Sequence, residues 1–354
     1  MAWMHPFTAW KALWAPSACP GEVDRITKPC FPWVGGKEKL APYITQLFPP
    51  DLTQYTDPFG GSGSVLLALR PSHKRIDIYN DLDTNLTNFF LCAKERTNEL
   101  VRELKYLPIH SRTAFHLYKH FLEHEEYHRM VYEQNIQKEL EVLEDRSCFT
   151  AEQAEELRPV LSERFQLFDV QRAAIFFTTI RGSFSGTGNS FGVKPLHLGN
   201  FLYLIQEAGR RLEGVVIENK NAIQLIRDED HPRNLFYCDP PYRKTESRYR
   251  VSRHGDFRHF HVRLWRMLKE CQSFVVVSYN DCPFIRSLYR DFYILTLARP
   301  NPLAKKQGAK FEELIMTNYD PRPFLAPQLD LFDLQRELWD PKLVHIPDRP
   351  LKLI

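Results

Sequence analysis

Residues 55–69 read Tyr55-Thr56-Asp57-Pro58-Phe59-Gly60-Gly61-Ser62-Gly63-Ser64-Val65-Leu66-Leu67-Ala68-Leu69. A short strand enters a Gly-rich turn and leaves it as an apolar helix. Glycines at such a turn let the backbone approach a ligand, and the helix start offers free N–H groups. Arg75 to Tyr79 alternates and reads as a second strand. Strand, Gly-turn, helix, strand is the opening unit of a parallel α/β sheet. The turn lacks the Lys of a P-loop and the spacing of G-x-G-x-x-G, which argues against a nucleoside triphosphate or NAD.

Outward from this unit, residues from about Leu86 to Ile180 read almost wholly helical, and Thr150-Ala151-Glu152-Gln153 carries a capping-box signature. Strands return at Leu235–Cys238, Phe274–Ser278, Phe292–Leu297 and Glu313–Thr317. Between the first two, Phe257, Phe260, Leu264, Met267, Leu268 and Cys271 keep a helical period. The expected architecture is an α/β Rossmann-like sheet split by a mostly helical insertion. Its divisions are an extension (1–27), a first sheet part (28–85), the insertion (86–200), a second sheet part (201–320) and a Pro-rich tail (321–354). Six prolines from Pro321 to Pro350 are expected to break regular structure in that tail.

The 354 residues are 43% hydrophobic and 26% charged, which suits a soluble globular protein with a substantial core. Seven scattered cysteines without a C-x-x-C pair exclude a disulfide framework and a cysteine zinc site, and fit a reducing cytoplasm. No apolar run approaches the ~20 residues of a membrane span. The N-terminus lacks a basic region followed by an apolar stretch, so no signal peptide is expected.

Three groups of residues carry chemistry. Asn80-Asp81-Leu82-Asp83 ends the second strand, where an acidic side chain accepts hydrogen bonds from both hydroxyls of a ribose. A Gly-turn with a strand-end Asp also occurs in purely structural roles. Phe236-Tyr237-Cys238-Asp239-Pro240-Pro241-Tyr242 ends a buried strand. Its prolines cannot donate, so Asp239 and the Pro240 carbonyl make an acceptor pair suited to an exocyclic amino group, with the Tyr242 ring placed to stack on a heterocycle. The competing reading is an Asp-Pro turn that merely closes a strand. Pro32-Trp33-Val34-Gly35-Gly36-Lys37 adds an aromatic platform, close backbone approach and a cation.

In order and spacing this set resembles the Dam-type (class D12) adenine-N6 DNA methyltransferases, over about Lys28 to Tyr319. The resemblance implies a Rossmann-like methyltransferase sheet and S-adenosylmethionine as methyl donor. It implies that Trp33, Gly35, Gly36, Lys37, Phe59, Gly61 and Gly63 border the donor, Asp81 its ribose, and Asp239 both donor and acceptor. Asp239, Pro240 and Tyr242 are then the catalytic residues, with no metal, acting on an adenine flipped out of the duplex. The nearest alternatives are amino-methylation of RNA or of cytosine N4, and a catalytically silent DNA-binding relative.

Double-stranded DNA calls for positive charge near the tetrad. Arg243 to Arg263 holds seven basic residues, among them Lys244, Arg248, Arg250 and Arg253, against two acidic ones. Lys305 and Lys306 belong to a second group between the last two strands. Phosphate contacts there would make binding salt-dependent. A solvated charged loop is the plain reading of either group alone. The near-neutral net charge of +3 hides an opposing stretch, Glu123 to Leu157, with eleven acidic and three basic residues. Arg181, in Arg181-Gly182-Ser183-Phe184, occupies the place of the family's base-reading hairpin and is expected to contact a guanine. The Arg-Tyr-Asn run of the best-known GATC-reading pattern is missing, so GATC specificity is not carried over.

Two further motifs stand apart. His124-Glu125-Glu126-Tyr127-His128 matches the H-E-x-x-H zinc-protease pattern, and His116, His120, His124 and His128 recur every fourth residue. The acidic surroundings disfavour a protease helix. Gln328-Leu329-Asp330-Leu331-Phe332 resembles the peptide that docks bacterial replication and repair proteins on the sliding clamp. An amphipathic helix from Leu329 to Trp339 packing on the body is the equal alternative. The expected protein is a monomer in the cytoplasm, encoded by a bacterium or a phage.

Overall fold

The computed structural model describes residues 26–107, 111–145, 149–167, 169–193, 196–242, 259–300, 310–324, 342–349 and 351–352. The sheet strands are β1 (Gln54–Asp57), β2 (Ile76–Asn80), β3 (Val215–Glu218), β4 (Asn234–Cys238), β5 (Phe274–Asn280), β6 (Tyr293–Pro300), β7 (Lys310–Thr317) and β8 (Lys342–His345). They form one sheet in the order β3-β2-β1-β4-β5-β7-β6-β8. β3, β2, β1, β4 and β5 are parallel, and β7 inserts antiparallel between β5 and β6. β1 and β4 are buried at every position, as expected of parallel strands covered on both faces.

The helices in chain order are α1 (Ala41–Gln46), α2 (Ser64–Ala68), α3 (Thr84–Glu95), α4 (Thr97–Tyr106), α5 (Arg112–Glu123), α6 (Glu125–Asp145), α7 (Ala151–Glu156), α8 (Arg158–Leu167), α9 (Val170–Gly182), α10 (Leu202–Leu212), α11 (Ala222–Asp228), α12 (Phe260–Glu270) and α13 (Pro283–Leu288). The Asp83 side chain caps α3, Asp169 caps α9, and Thr150 with Gln153 closes the expected capping box on α7. The helical stretch is not one separate body. Residues of α3, α4, α5 and α9 share a single apolar cluster with β1, β2 and β4, whereas Ile136, Leu140, Ala154 and Leu161 of α6–α8 form their own.

Two strands went unseen in the sequence. β3 is a four-residue edge strand, and β8 lies within the Pro-rich tail and pairs with β6. Proline is tolerated beside such an edge because no ladder hydrogen bond is required of it there. The tail expected to be irregular therefore contributes to the sheet. Most of the 1–27 extension and the Gln328–Phe332 peptide lie outside the described residues. No helix among the described residues is long and apolar enough to cross a membrane.

Candidate active site

β1 pairs with β2 on one side and β4 on the other, so the chain winds away from β1 in both directions. In such sheets the carboxyl ends of the central strands leave a crevice that receives ligands. The Gly-turn after β1, Asp81 after β2 and Asp239 after β4 all open onto one cavity there, with Trp33, Gly35, Gly36, Lys37, Phe59, Gly61 and Pro241. The N-terminal box reaches the cavity through an aromatic cluster. Phe31 packs edge-on against Phe89 of α3 and Phe176 of α9, and Trp33 lies against Phe31 and Phe176.

The turn is built for close approach. Gly35 and Gly61 have φ of 78° and 51°, which a side chain resists. A methyl on Gly60 would come within 2.2 Å of the Tyr79 ring, and that ring's hydroxyl donates to the Gly61 carbonyl at 2.7 Å. Asp81 Oδ2 accepts from Gly61 N and Oδ1 from Asp83 N, both at 2.9 Å. Burial pushes the Asp81 carboxyl up to about 6. Each oxygen keeps acceptor capacity beyond its one backbone N–H.

Asp239 is braced on both oxygens. Lys37 Nζ donates to Oδ2 at 2.6 Å, and Ser278 Oγ to Oδ1 at 2.8 Å. Tyr242 lies 3.1 Å from Oδ1 through its hydroxyl, which also donates to Glu313. Burial raises the Asp239 carboxyl, and Lys37 draws it back. Burial alone would lower the Lys37 ammonium, yet Asp239 and Glu313 carry it above its ordinary value.

A family model described as D12 class N6 adenine-specific DNA methyltransferase matches residues 33–299, most of the chain. The chain belongs to the D12 class of N6 adenine-specific DNA methyltransferases. The Type II methyltransferase M1.LlaDCHI of Lactococcus lactis subsp. cremoris is 24% identical over 312 residues, spanning 82% of this chain and 95% of that relative.

Several expected site residues of this D12 enzyme sit differently. Gly63 does not line the cavity. It is the left-handed N-cap of α2, where a methyl would press on the Phe90 ring at 3.3 Å. Tyr242 is buried beneath the Lys37 ammonium, 5.0 Å from its ring centre, and does not line the cavity either. A buried phenol needs an acceptor, and the Glu313 carboxylate supplies it. Pro240 is buried, and its neighbour Pro241 lines the wall.

Arg181 is held at the end of α9. Its Nε donates to the Cys30 carbonyl at 2.9 Å, and its guanidinium lies 3.8 Å over the Phe201 ring. That side chain ties α9 to the N-terminal segment. The following loop is hairpin-like: Ser183 bridges Phe191, and Gly186 packs so closely on the Pro32 carbonyl that a methyl would meet it at 2.6 Å. Gly186 and Thr187 reach the cavity wall.

Lys244, Arg248, Arg250, Arg253, Lys305 and Lys306 lie outside the described residues. The residues flanking both basic segments, Tyr242 and Pro300, stand at the carboxyl ends of strands on the cavity side of the sheet. The four-fold histidine spacing is interrupted, because His124 has extended dihedrals between α5 and α6. Missed in the sequence were Glu313, Ser278 and the Lys220–Ala222 wall that follows β3. The Val215-Val216-Ile217 run and an acid opening the apolar run Leu314-Ile315-Met316 were the available signals.

Proposed function

We propose that the enzyme methylates an adenine rotated out of duplex DNA, takes the methyl from S-adenosylmethionine, and orients the amino group with Asp239 and the Pro240 carbonyl. The observation that carries this is Asp239, braced by Lys37 and Ser278 at the cavity that also holds Asp81 and the Gly-turn.

The cavity suits an adenosyl donor. Asp81 offers its two oxygens to a ribose diol, Trp33 and Phe59 supply aromatic walls, and Gly35 and Gly61 leave the backbone bare. When bound, S-adenosylmethionine supplies an electrophilic methyl whose bond to sulfur breaks, the pair staying on sulfur, as the adenine nitrogen bonds to carbon and later sheds a proton. The adenine amino lone pair is delocalised and weakly nucleophilic. Acceptance of its N–H bonds at Asp239 and Pro240 concentrates density on nitrogen and aims it in line. Lys37 and Ser278 hold the Asp239 plane, so little reorganisation is needed at the moment of transfer. The basic segments at 243–263 and 299–310 are assigned to DNA phosphates.

The Lactococcus relative is named a Type II methyltransferase. That supports a modification role in a restriction-modification pair; a monomer acting in the cytoplasm, encoded by a bacterium or a phage, is proposed on the sequence alone. The Gln328–Phe332 peptide is assigned to the sliding clamp, on its sequence alone. Leu331→Ala with Phe332→Ala should abolish clamp capture, and undiminished capture rejects that assignment.

Expression in a host free of adenine methylation, followed by sequencing that detects N6-methyladenine, tests the main reading. A single methylated motif is expected. Unmodified DNA from cells in which the purified enzyme binds donor overturns it.

A further inference from the structure

Glu313 lies on β7 opposite Asn280 and Leu297, at 2% exposure, with Lys37 Nζ 3.2 Å from its carboxylate. Tyr242 donates its hydroxyl to the same oxygen. The Lys37 ammonium has three hydrogens, and three acceptors meet it: the Gly35 carbonyl at 2.8 Å, Asp239 at 2.6 Å and Glu313 at 3.2 Å. No hydrogen of the cation is left for a ligand. Its charge is spent within the protein.

This arrangement has an electrostatic consequence. Lys37 with Asp239 alone would be a neutral pair, poorly suited to a nitrogen that becomes positive as it bonds to the methyl. Glu313 adds the second carboxylate, so the trio carries one net negative charge beside the acceptor. The other acid felt at Asp239 is Asp57, which is buried, with its carboxyl held well above the usual range by burial and then by Asp239. We infer that Glu313 is a positioning residue for methyl transfer: it offsets the Lys37 charge so that Asp239 keeps a net negative field, and it holds the Tyr242 hydroxyl and the Lys37 ammonium in place. The inference rests on the role of Asp239 proposed above.

The test compares Glu313→Gln, Glu313→Asp, Asp239→Asn and the double variant Lys37→Met/Glu313→Gln. Glu313→Gln should lower kcat by roughly 10- to 100-fold, the scale of losing one preorganised electrostatic partner. Its KM for DNA and its Kd for S-adenosylmethionine should stay within about threefold of wild type, a split that lost folding would not give. Glu313→Asp keeps the charge and should exceed Glu313→Gln in kcat. The double variant removes cation and compensating anion together and should recover several-fold over Glu313→Gln. A purely structural role predicts instead that the double is worse than Glu313→Gln. The inference is overturned by a Glu313→Gln kcat within twofold of wild type, or by a double variant no faster than Glu313→Gln. Should Glu313→Gln fail to fold, Glu313→Asp against the double variant carries the same comparison. Wild-type transfer by Asp239→Asn would reject the Asp239 role itself. Loss in Asp239→Asn with full activity in Glu313→Gln would reject only the part given to Glu313.

Discussion

The Lys37 ammonium lies 2.6 Å from Asp239 Oδ2 although 202 residues separate them in the chain. The N-terminal Trp-Gly-Gly-Lys box and the Asp-Pro-Pro-Tyr tetrad are therefore one electrostatic unit. Both partners are largely withdrawn from water, with 3% and 19% of the side chains exposed. Such a pair is costly to break on one side only, because the remaining charge stays buried.

Lys37→Met leaves Asp239 and Glu313 facing each other without a cation. A loss of about 3 kcal/mol in denaturant unfolding is expected, the low end for breaking a buried pair. An unfolding midpoint equal to wild type would show the pair to be solvated.

Asp81 gives a pH signature. Its carboxyl titrates near 6 because burial disfavours the charge. A ribose diol donates to the ionised form, so donor affinity should fall below pH 6 by at most about tenfold per unit, as one proton requires. The apo protein responds in the opposite sense. A raised folded value means that stability from this group is fully present below the ordinary carboxylate value and is lost as pH rises from there through about 6. Calorimetric titration of S-adenosylmethionine between pH 5 and 8 reads the first effect, and Asp81→Asn should flatten it. Pronounced pH dependence surviving in Asp81→Asn would assign the titration elsewhere.

Arg181 is predicted to matter for stability and not for base choice. Replacement by Met removes a charged hydrogen bond to the Cys30 carbonyl and the stacking on Phe201, together worth about 2 kcal/mol. Thermal unfolding measures the loss, and sequencing of methylated sites should return the wild-type motif. A changed motif would place Arg181 on the DNA.

The sheet was largely legible because its central strands are buried on both faces, so Leu235-Phe236-Tyr237-Cys238 and Phe274-Val275-Val276-Val277 read as continuous apolar runs. β3 and β8 were not, since a four-residue edge strand has too little period to stand out. The chemical residues after β1, β2 and β4 were legible for a topological reason: strand carboxyl ends of a doubly wound sheet converge. Glu313 was not, because its place beside Lys37 depends on β7 reversing between β5 and β6, which sequence order does not reveal. The packing of Arg181 on the Cys30 carbonyl and of Gly63 on the Phe90 ring was not legible either, because those partners are distant in the chain. Capping followed local rules, as Thr150 and Gln153 show.

The account turns on Asp239 as the acceptor that activates the adenine amino group. The direct measurement is single-turnover transfer of labelled methyl from saturating S-adenosylmethionine to duplex DNA bearing the enzyme's motif, for wild type and Asp239→Asn, with the product base identified by mass spectrometry. The account predicts N6-methyladenine from wild type and a rate lower by at least about 10³-fold in Asp239→Asn, at the upper end for loss of a preorganised group. A rate within tenfold of wild type from a folded, donor-binding Asp239→Asn would contradict it.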